Sequence, residues 1–234
     1  MVLIQNVQTG CVGIDRSLRG GIPSEYVTLI YGEPETGKTT FAMQCAVNCA
    51  HKGYKTLFVD CDGTFSVERL SQLAHRQIKE IAEMIILVRP TNFKEQIAVV
   101  ESLTEVLASN FGLVVFDTIT SLYRLRVAES PSKAFELNRE LNKQAALLAQ
   151  ITKTRKIALL LTSQVCSIID GTAMSTEPVA KRVLKFWADV IIALKPTENT
   201  TIIQAVLEKS PEKLHPLIWQ LKIAKNGIHD FSMR

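Results

Sequence analysis

The chain has no apolar run near the roughly 18 residues that a membrane-spanning helix requires. Its first stretch, MVLIQNVQTGCVGIDRSLRGG, lacks the basic start and small-residue cleavage site of a secretory signal. A helical membrane protein is thereby excluded, and a cytoplasmic one is expected. The five cysteines (Cys11, Cys45, Cys49, Cys61, Cys166) include no C-x-x-C pair. They read as small apolar residues of a reduced core, with Cys45 and Cys49 placed to share one helix face. The four histidines are scattered, which argues against a metal cage. Internal repeats and linker-like shifts in composition are also missing, so a single domain over residues 1–234 is expected.

What is present is ordinary in bulk and uneven in charge. With 234 residues, 47% of them hydrophobic and 21% charged, the chain is long enough for one α/β domain with a buried core. The net charge is only +4, yet residues 124–185 hold eleven Lys/Arg and five Asp/Glu, a local +6 that leaves −2 for the remainder. Such an asymmetry fits a surface for an acidic partner, and chance scatter of solvated charges is the alternative.

Apolar, β-rich runs alternate with segments of helical period. Strands are expected at YVTLIY (26–31), KTLFVD (55–60), MIILV (84–88), GLVVFD (112–117) and KIALLLTSQ (156–164). Between them, a helix follows the glycine-rich stretch after residue 31 and stops near Gly53. Ser66 reads as the N-cap of a second helix. Asn92 with Glu95 reads as a capping box opening a third. A long helix is expected from Ser132 to about Thr154, with Ala134, Leu137, Leu141, Leu148 and Ile151 on one stripe. Later runs, WADVIIAL, TTIIQAVLE and LIWQLKIA, read as strands without intervening helices. The pattern predicts a mostly parallel central sheet flanked by helices, with an antiparallel C-terminal extension.

GEPETGKTT (32–40) matches G-x-x-x-x-G-K-[ST], a pattern that arises by chance in about 1% of chains this long. Here it lies between a strand and a helix, where a phosphate-binding loop must lie. Backbone N–H groups of Gly32, Glu33, Pro34, Glu35, Thr36, Gly37, Lys38, Thr39 and Thr40 (proline excepted) can then turn towards phosphate oxygens, and the helix start adds its positive end. Lys38 would neutralise β- and γ-phosphate charge, and Thr39 would ligate Mg²⁺. Asp117, at the carboxyl end of a buried strand, is placed to hold the same Mg²⁺. In VDCDGTFSVER, either Asp60 or Asp62 is placed to polarise the attacking water. Gln164, ending another strand, has a neutral amide suited to sensing the γ-phosphate.

Taken in order, the start at QTGCVGIDRSLRGG, GEPETGKT, VDCDGTFSVER, VVFDTITSLYR, TSQV and KNGIHD resemble the RecA/RadA superfamily of recombinases, across nearly the whole chain. Within it the chain is most similar to the RadB family of short archaeal RadA paralogues. The resemblance starts at the ATPase core, so the N-terminal helix-hairpin-helix domain and polymerisation segment of RadA proteins are expected to be absent. PTNFKEQIAVVESL and STEPVAKRVLKFWADVIIAL are also similar to RadB stretches. The resemblance implies a RecA-type P-loop NTPase core that takes ATP and Mg²⁺. It places Arg69 at a residue that stacks on adenine, Gln164 at a switch between γ-phosphate and DNA, and Asp62 at the catalytic glutamate. The carboxylate at 62 is one methylene shorter than the family's, so weak hydrolysis is expected.

The same resemblance implies two DNA-binding loops. The first is SLYRLRVAESPSK, with Arg124, Arg126 and Lys133. The second is VCSIIDGTAMSTEPVAKR, with Lys181, Arg182 and Lys185 at its end. Neither contains an aromatic stacking platform, so weak to moderate, salt-sensitive DNA binding is expected. The implied activity is DNA repair and homologous recombination, assisting a RadA-type recombinase, with homo-oligomerisation left open. Two rival readings are an autonomous strand-exchange filament with DNA-dependent ATPase activity and a KaiC-like signalling ATPase with no DNA role.

Overall fold

The computed structural model describes residues 4–170, 173–211 and 216–231. A short strand β1 (Asn6–Val7) and helix α1 (Val12–Ser17) lead to β2 (Ile22–Pro23), which pairs antiparallel with β1. Strand β3 (Val27–Gly32) is buried at every residue and feeds helix α2 (Lys38–His51). Strand β4 (Lys55–Asp60) is followed by helices α3 (Val67–Ala74) and α4 (Ile78–Glu83), then by strand β5 (Ile85–Val88). Helix α5 (Phe93–Val106), strand β6 (Phe111–Asp117), helix α6 (Ser121–Glu129), helix α7 (Ala134–Arg155) and strand β7 (Ala158–Ser163) come next. The remainder is a hairpin of β8 (Val165–Asp170) and β9 (Ala173–Pro178), helix α8 (Lys181–Trp187), and strands β10 (Val190–Pro196), β11 (Ile202–Lys209), β12 (Leu217–Ala224) and β13 (Gly227–Asp230).

Nine strands form one sheet in the order β13-β12-β11-β10-β3-β7-β6-β4-β5. From β10 to β5 every pairing is parallel, and β11, β12 and β13 are added antiparallel. Helices cover both faces, which is why the central strands read as unbroken apolar runs and not as alternating ones. One buried cluster joins α1 and α2 to one face through Phe41, Phe58 and Leu160. The other joins α5 and α7 to the opposite face through Leu103, Phe116 and Leu148.

Caps set the helix starts where the sequence marks them. The Ser66 hydroxyl accepts from Arg69 N at 3.2 Å, and Asn92 Oδ1 accepts from Glu95 N at 3.0 Å. The reciprocal half of the second box is shifted by one residue: Glu95 accepts from Thr91 N at 2.7 Å.

Several expectations are corrected. SLYRLRVAE is helix α6, not a loop, and the long helix begins at Ala134, after a short 3₁₀ turn over Pro131–Lys133. Lys181, Arg182 and Lys185 lie on helix α8, and the segment before them is the β8–β9 hairpin. Gly171 and Thr172, within that second predicted loop, fall outside the described residues, as do the side chains of residues 167–176. Trp187 ends α8 and does not start a strand; β10 pairs parallel to β3, and a fourth late strand, β13, closes the sheet. Cys11, Cys45, Cys49 and Cys61 are buried as expected, but Cys166 is exposed. No helix among the described residues is long and apolar enough to cross a membrane.

Candidate nucleotide-binding and nucleic-acid site

Parallel pairing brings the carboxyl ends of β3, β7, β6 and β4 side by side, with Asp60 directly opposite Asp117 and Tyr31 opposite Ser163. Residues 32–38 wrap this edge. Gly37 adopts a left-handed conformation (φ 84°) and serves as N-cap of α2, so the loop turns straight into the helix. A side chain at Gly32 would meet Leu194 O at 2.3 Å, so the loop's first position needs glycine for close packing. Lys38 is buried, and its ammonium donates to Gly32 O at 2.9 Å and Glu33 O at 2.6 Å, so the lysine closes the loop on itself. Burial pulls the ammonium below its ordinary pKa, against the upward pull of Asp117, Asp62 and Glu33.

Asp117 is fully buried. Thr162 donates to its Oδ1 at 2.5 Å, while its Oδ2 has no hydrogen-bond partner among the described residues. Burial raises its pKa, and the hydroxyls of Thr162 and Thr39 work against that rise. A buried, partnerless carboxylate oxygen near a threonine hydroxyl fits a divalent cation that also takes phosphate oxygens. Among the described residues no group of three or more His, Cys, Asp or Glu makes an all-protein cage.

The two carboxylates of VDCD separate cleanly. Asp60 is buried and saturated: it accepts from Thr64 N (3.0 Å), Phe65 N (3.1 Å) and Arg89 Nε (3.0 Å). It holds the turn and has no room for a water-activating role. Asp62 stands at the open edge, where its Oδ2 accepts from Thr118 (3.3 Å) and Gln164 Nε2 (3.4 Å). Gln164 Oε1 in turn accepts from Arg124 Nη1 at 2.5 Å. Arg124 can only donate, so it fixes the amide's polarity and turns the NH₂ towards Asp62. Asp62, Ser121, Arg124 and Gln164 line a cleft of about 370 Å³.

Arg69 is held by four bonds: to Lys225 O (2.8 Å), Ala224 O (2.9 Å), Gln72 Oε1 (2.8 Å) and Thr40 Oγ1 (3.3 Å). Its guanidinium thus ties the start of α2 to the β12–β13 turn. Of the basic residues expected to face DNA, most already have partners. Arg126 pairs with Glu129 (3.0 Å), and Lys181 pairs with Glu177 (2.8 Å). Lys185 lies between Glu208 (2.9 Å) and Glu177 (3.2 Å), above the Tyr31 ring. Arg182 is exposed and makes no ion pair among the described residues, and Lys133 is exposed. The structure gathers Lys38, Thr39, Asp62, Asp117 and Gln164 at one edge and leaves the basic residues on α6 and α8 beside it.

Sequence reasoning missed Thr162, Arg89, Thr118 and Lys225. A threonine inside the apolar run ALLLT was the one visible signal for the first. The others depend on which strands are neighbours, which no local pattern records.

A glycine-rich loop between strand and helix, a lysine folded into it, and a buried aspartate two strands away define a P-loop nucleotide-binding core of the RecA type. The Rad51 family model matches residues 2–231. The DNA repair and recombination protein RadB of Methanococcus maripaludis (strain C5) is 32% identical over 215 residues, 92% of this chain and 96% of the relative. That of Methanothermobacter thermautotrophicus is 32% identical over 219 residues, 92% of each. The crystal structure of the RadB recombinase superposes with a TM-score of 0.81 at 32% identity, covering 97% of this chain and all of that one. The chain belongs to the Rad51 family, in its RadB branch.

Proposed function

We propose that this chain binds ATP with Mg²⁺ and acts on DNA in repair and homologous recombination, assisting a RadA-type recombinase. The observation that carries the nucleotide half is the closed loop of Lys38 beside the partnerless buried oxygen of Asp117. Residues 32–40 hold the phosphates, Thr39 and Asp117 hold the Mg²⁺, and Arg69 presents its guanidinium face to the base. The bound ion supplies charge stabilisation at the phosphates. Lys38 is poised to exchange its two carbonyl acceptors for phosphate oxygens, which return far more electrostatic energy to a buried ammonium. Asp62 is the candidate base and Gln164 the candidate sensor, and the weak contacts of Asp62 fit slow turnover. The DNA half rests on RadB kinship and on the excess of Lys/Arg in residues 124–185.

The deciding experiment is ATP turnover with and without single-stranded DNA and the cognate recombinase. Low basal turnover that the recombinase or DNA alters is expected. Fast turnover and strand exchange by the chain alone would favour an autonomous filament instead. Lys38→Ala is expected to abolish Mg-ATP binding with the sheet and helices intact, because the lysine supplies the charge and ties only the loop carbonyls Gly32 O and Glu33 O; calorimetric titration reads this directly.

A further inference from the structure

Asp62 sits on a seam between two segments, and one corner of the fold holds both. The first segment is the turn 60–65, which carries Asp62 itself. The second is residues 117–121, where β6 runs into α6. Backbone bonds from Cys61 N (2.8 Å) and Asp62 N (3.4 Å) to Asp117 O join the two, and the Thr118 hydroxyl donates across the seam to Asp62 Oδ2 at 3.3 Å. The side chain of Asp62 has only long contacts, so the two segments decide where its carboxylate stands.

The corner is residues 89–96, where β5 passes into α5. Arg89 forks over the first segment: Nε donates to Asp60 Oδ2 and Nη2 to Phe65 O, both at 3.0 Å, so it spans the turn from end to end. Gln96 reaches the second segment, where its Nε2 donates to Ile119 O at 3.1 Å. Between them Asn92 and Glu95 bond each other twice (Glu95 N to Asn92 Oδ1, 3.0 Å; Asn92 Nδ2 to Glu95 Oε1, 2.9 Å), which fixes the two holding residues relative to one another. Among the described residues neither Arg89 nor Gln96 bonds with its side chain to residues 32–40. Stability does not account for Gln96. It is fully buried against a second buried amide, Gln144 of α7, and donates to Gln144 Oε1 at 3.0 Å. The pair leaves Gln96 Oε1 and Gln144 Nε2 without partners among the described residues. Two apolar side chains would avoid both losses, but they could not hold Ile119 O.

We propose that Arg89 and Gln96 are positioning residues for Asp62: the β5–α5 corner sets where the carboxylate stands against the attacking water. The proposal rests on the reading of Asp62 as base and adds what holds it there. Misplacing a catalytic group by about 1 Å can cost about 100-fold in rate. Because the corner touches Asp62's two segments and not the phosphate loop, its loss should slow hydrolysis and spare nucleotide binding.

The test is single-turnover hydrolysis at saturating Mg-ATP, measured beside calorimetric ATP affinity and thermal unfolding. Arg89→Met is expected to slow hydrolysis about 10- to 100-fold with ATP affinity unchanged. The Arg89 side chain is 51% exposed, so its loss leaves the fold intact, and circular dichroism checks this. Arg89→Lys keeps a charge beside Asp60 but loses the fork to Phe65 O, so its rate should fall between the two. The double variant Gln96→Leu/Gln144→Leu should also slow hydrolysis while keeping the parent's thermal midpoint, which a purely structural role would not give. Arg89→Met added to Asp62→Asn should slow hydrolysis no further than Asp62→Asn alone. Parent-like turnover in Arg89→Met or in Gln96→Leu/Gln144→Leu, with Asp62→Asn slow, would overturn the role of that residue and leave Asp62 standing as base. A midpoint that falls together with turnover in the glutamine variant would reduce Gln96 to a structural part. ATP affinity lost in step with turnover, or a further loss in the Asp62→Asn background, would show Arg89 acting by another route and overturn its positioning role. Parent-like turnover in Asp62→Asn itself would remove the base assignment and the inference together.

Discussion

Asp60 and Asp62 stand two residues apart and carry different loads. Asp60 spends both oxygens on Arg89 and the turn, so Asp60→Ala leaves the Thr64 and Phe65 N–H groups unpaired and frees the half-exposed guanidinium of Arg89. We expect a loss of about 1–3 kcal/mol, mostly from the unpaired N–H groups, read as a lower urea midpoint. Asp62 stands at the edge with only two long contacts, from Thr118 and Gln164. Asp62→Glu adds about 1.5 Å of reach, one carbon–carbon bond. It should raise basal ATP turnover, whereas Asp62→Asn should lower it, both with little change in nucleotide affinity. A slower Glu variant with intact affinity would show a site built around the shorter carboxylate. Asp117 behaves differently again, because burial raises its pKa. Its ionised form therefore costs stability above the ordinary aspartate range, and that cost is relieved as pH falls through the raised value. Asp117→Asn should stabilise the nucleotide-free chain by about 1 kcal/mol at neutral pH while removing the Mg²⁺ dependence of ATP affinity. In the parent, that dependence should weaken on acidification sooner than an ordinary aspartate would allow. The sequence marked all three aspartates as strand-end carboxylates. Strand-end position alone did not separate structural Asp60 from accessible Asp62, although the family resemblance placed the catalytic role at Asp62; the physical difference is Arg89, which arrives from a neighbouring strand.

At the scale of elements, legibility follows the caps. Helices α3 and α5 begin at Ser66 and Asn92, whose side chains accept the first free N–H groups, and both starts were readable. Asn92→Ala should cost about 1 kcal/mol in thermal unfolding. Helices α6 and α8 begin at Thr120 and Ala180 with no side-chain cap bond, Ala180 in a left-handed conformation (φ 53°). Nothing local announces them, and family resemblance cast them as loops. The β8–β9 hairpin is fastened by Lys185. Burial alone would lower that lysine's pKa, yet Glu208 and Glu177 raise it. Burial likewise works upward on Glu177, but Lys181 and Lys185 bring it below the ordinary glutamate value. The fastening is complete between those limits. It is lost in acid as pH falls through the lowered pKa of Glu177, and in strong alkali as pH rises through the raised pKa of Lys185. Amide protection of Val165 and Cys166 should therefore fall only below the ordinary glutamate range, and Lys185→Met should abolish that step.

For the whole molecule, the parallel strands were legible because burial on both faces writes them as unbroken apolar runs. The register of β10 against β3 was not, since the crossover helix α8 was hidden. Nor was β13, whose four residues pair only through a turn. Yet β13 reaches the far end of the chain's history. Gln44, inside α2, donates to Thr9 O (2.7 Å) and Ile228 O (2.9 Å) and accepts from Ile228 N (2.7 Å), while Arg69 grips the turn just before. Residues from both extremes of the numbering thus meet behind the phosphate loop's helix. A chain leaving the ribosome makes GEPETGKTT early but cannot brace it until residues 224–230 have emerged. Long-range closure of this kind comes late in folding. Nascent chains stalled with those residues still in the exit tunnel should fail to photo-crosslink an ATP analogue, and release of the last strand should switch crosslinking on. Synthesis itself then keeps the unfinished protein from taking up nucleotide.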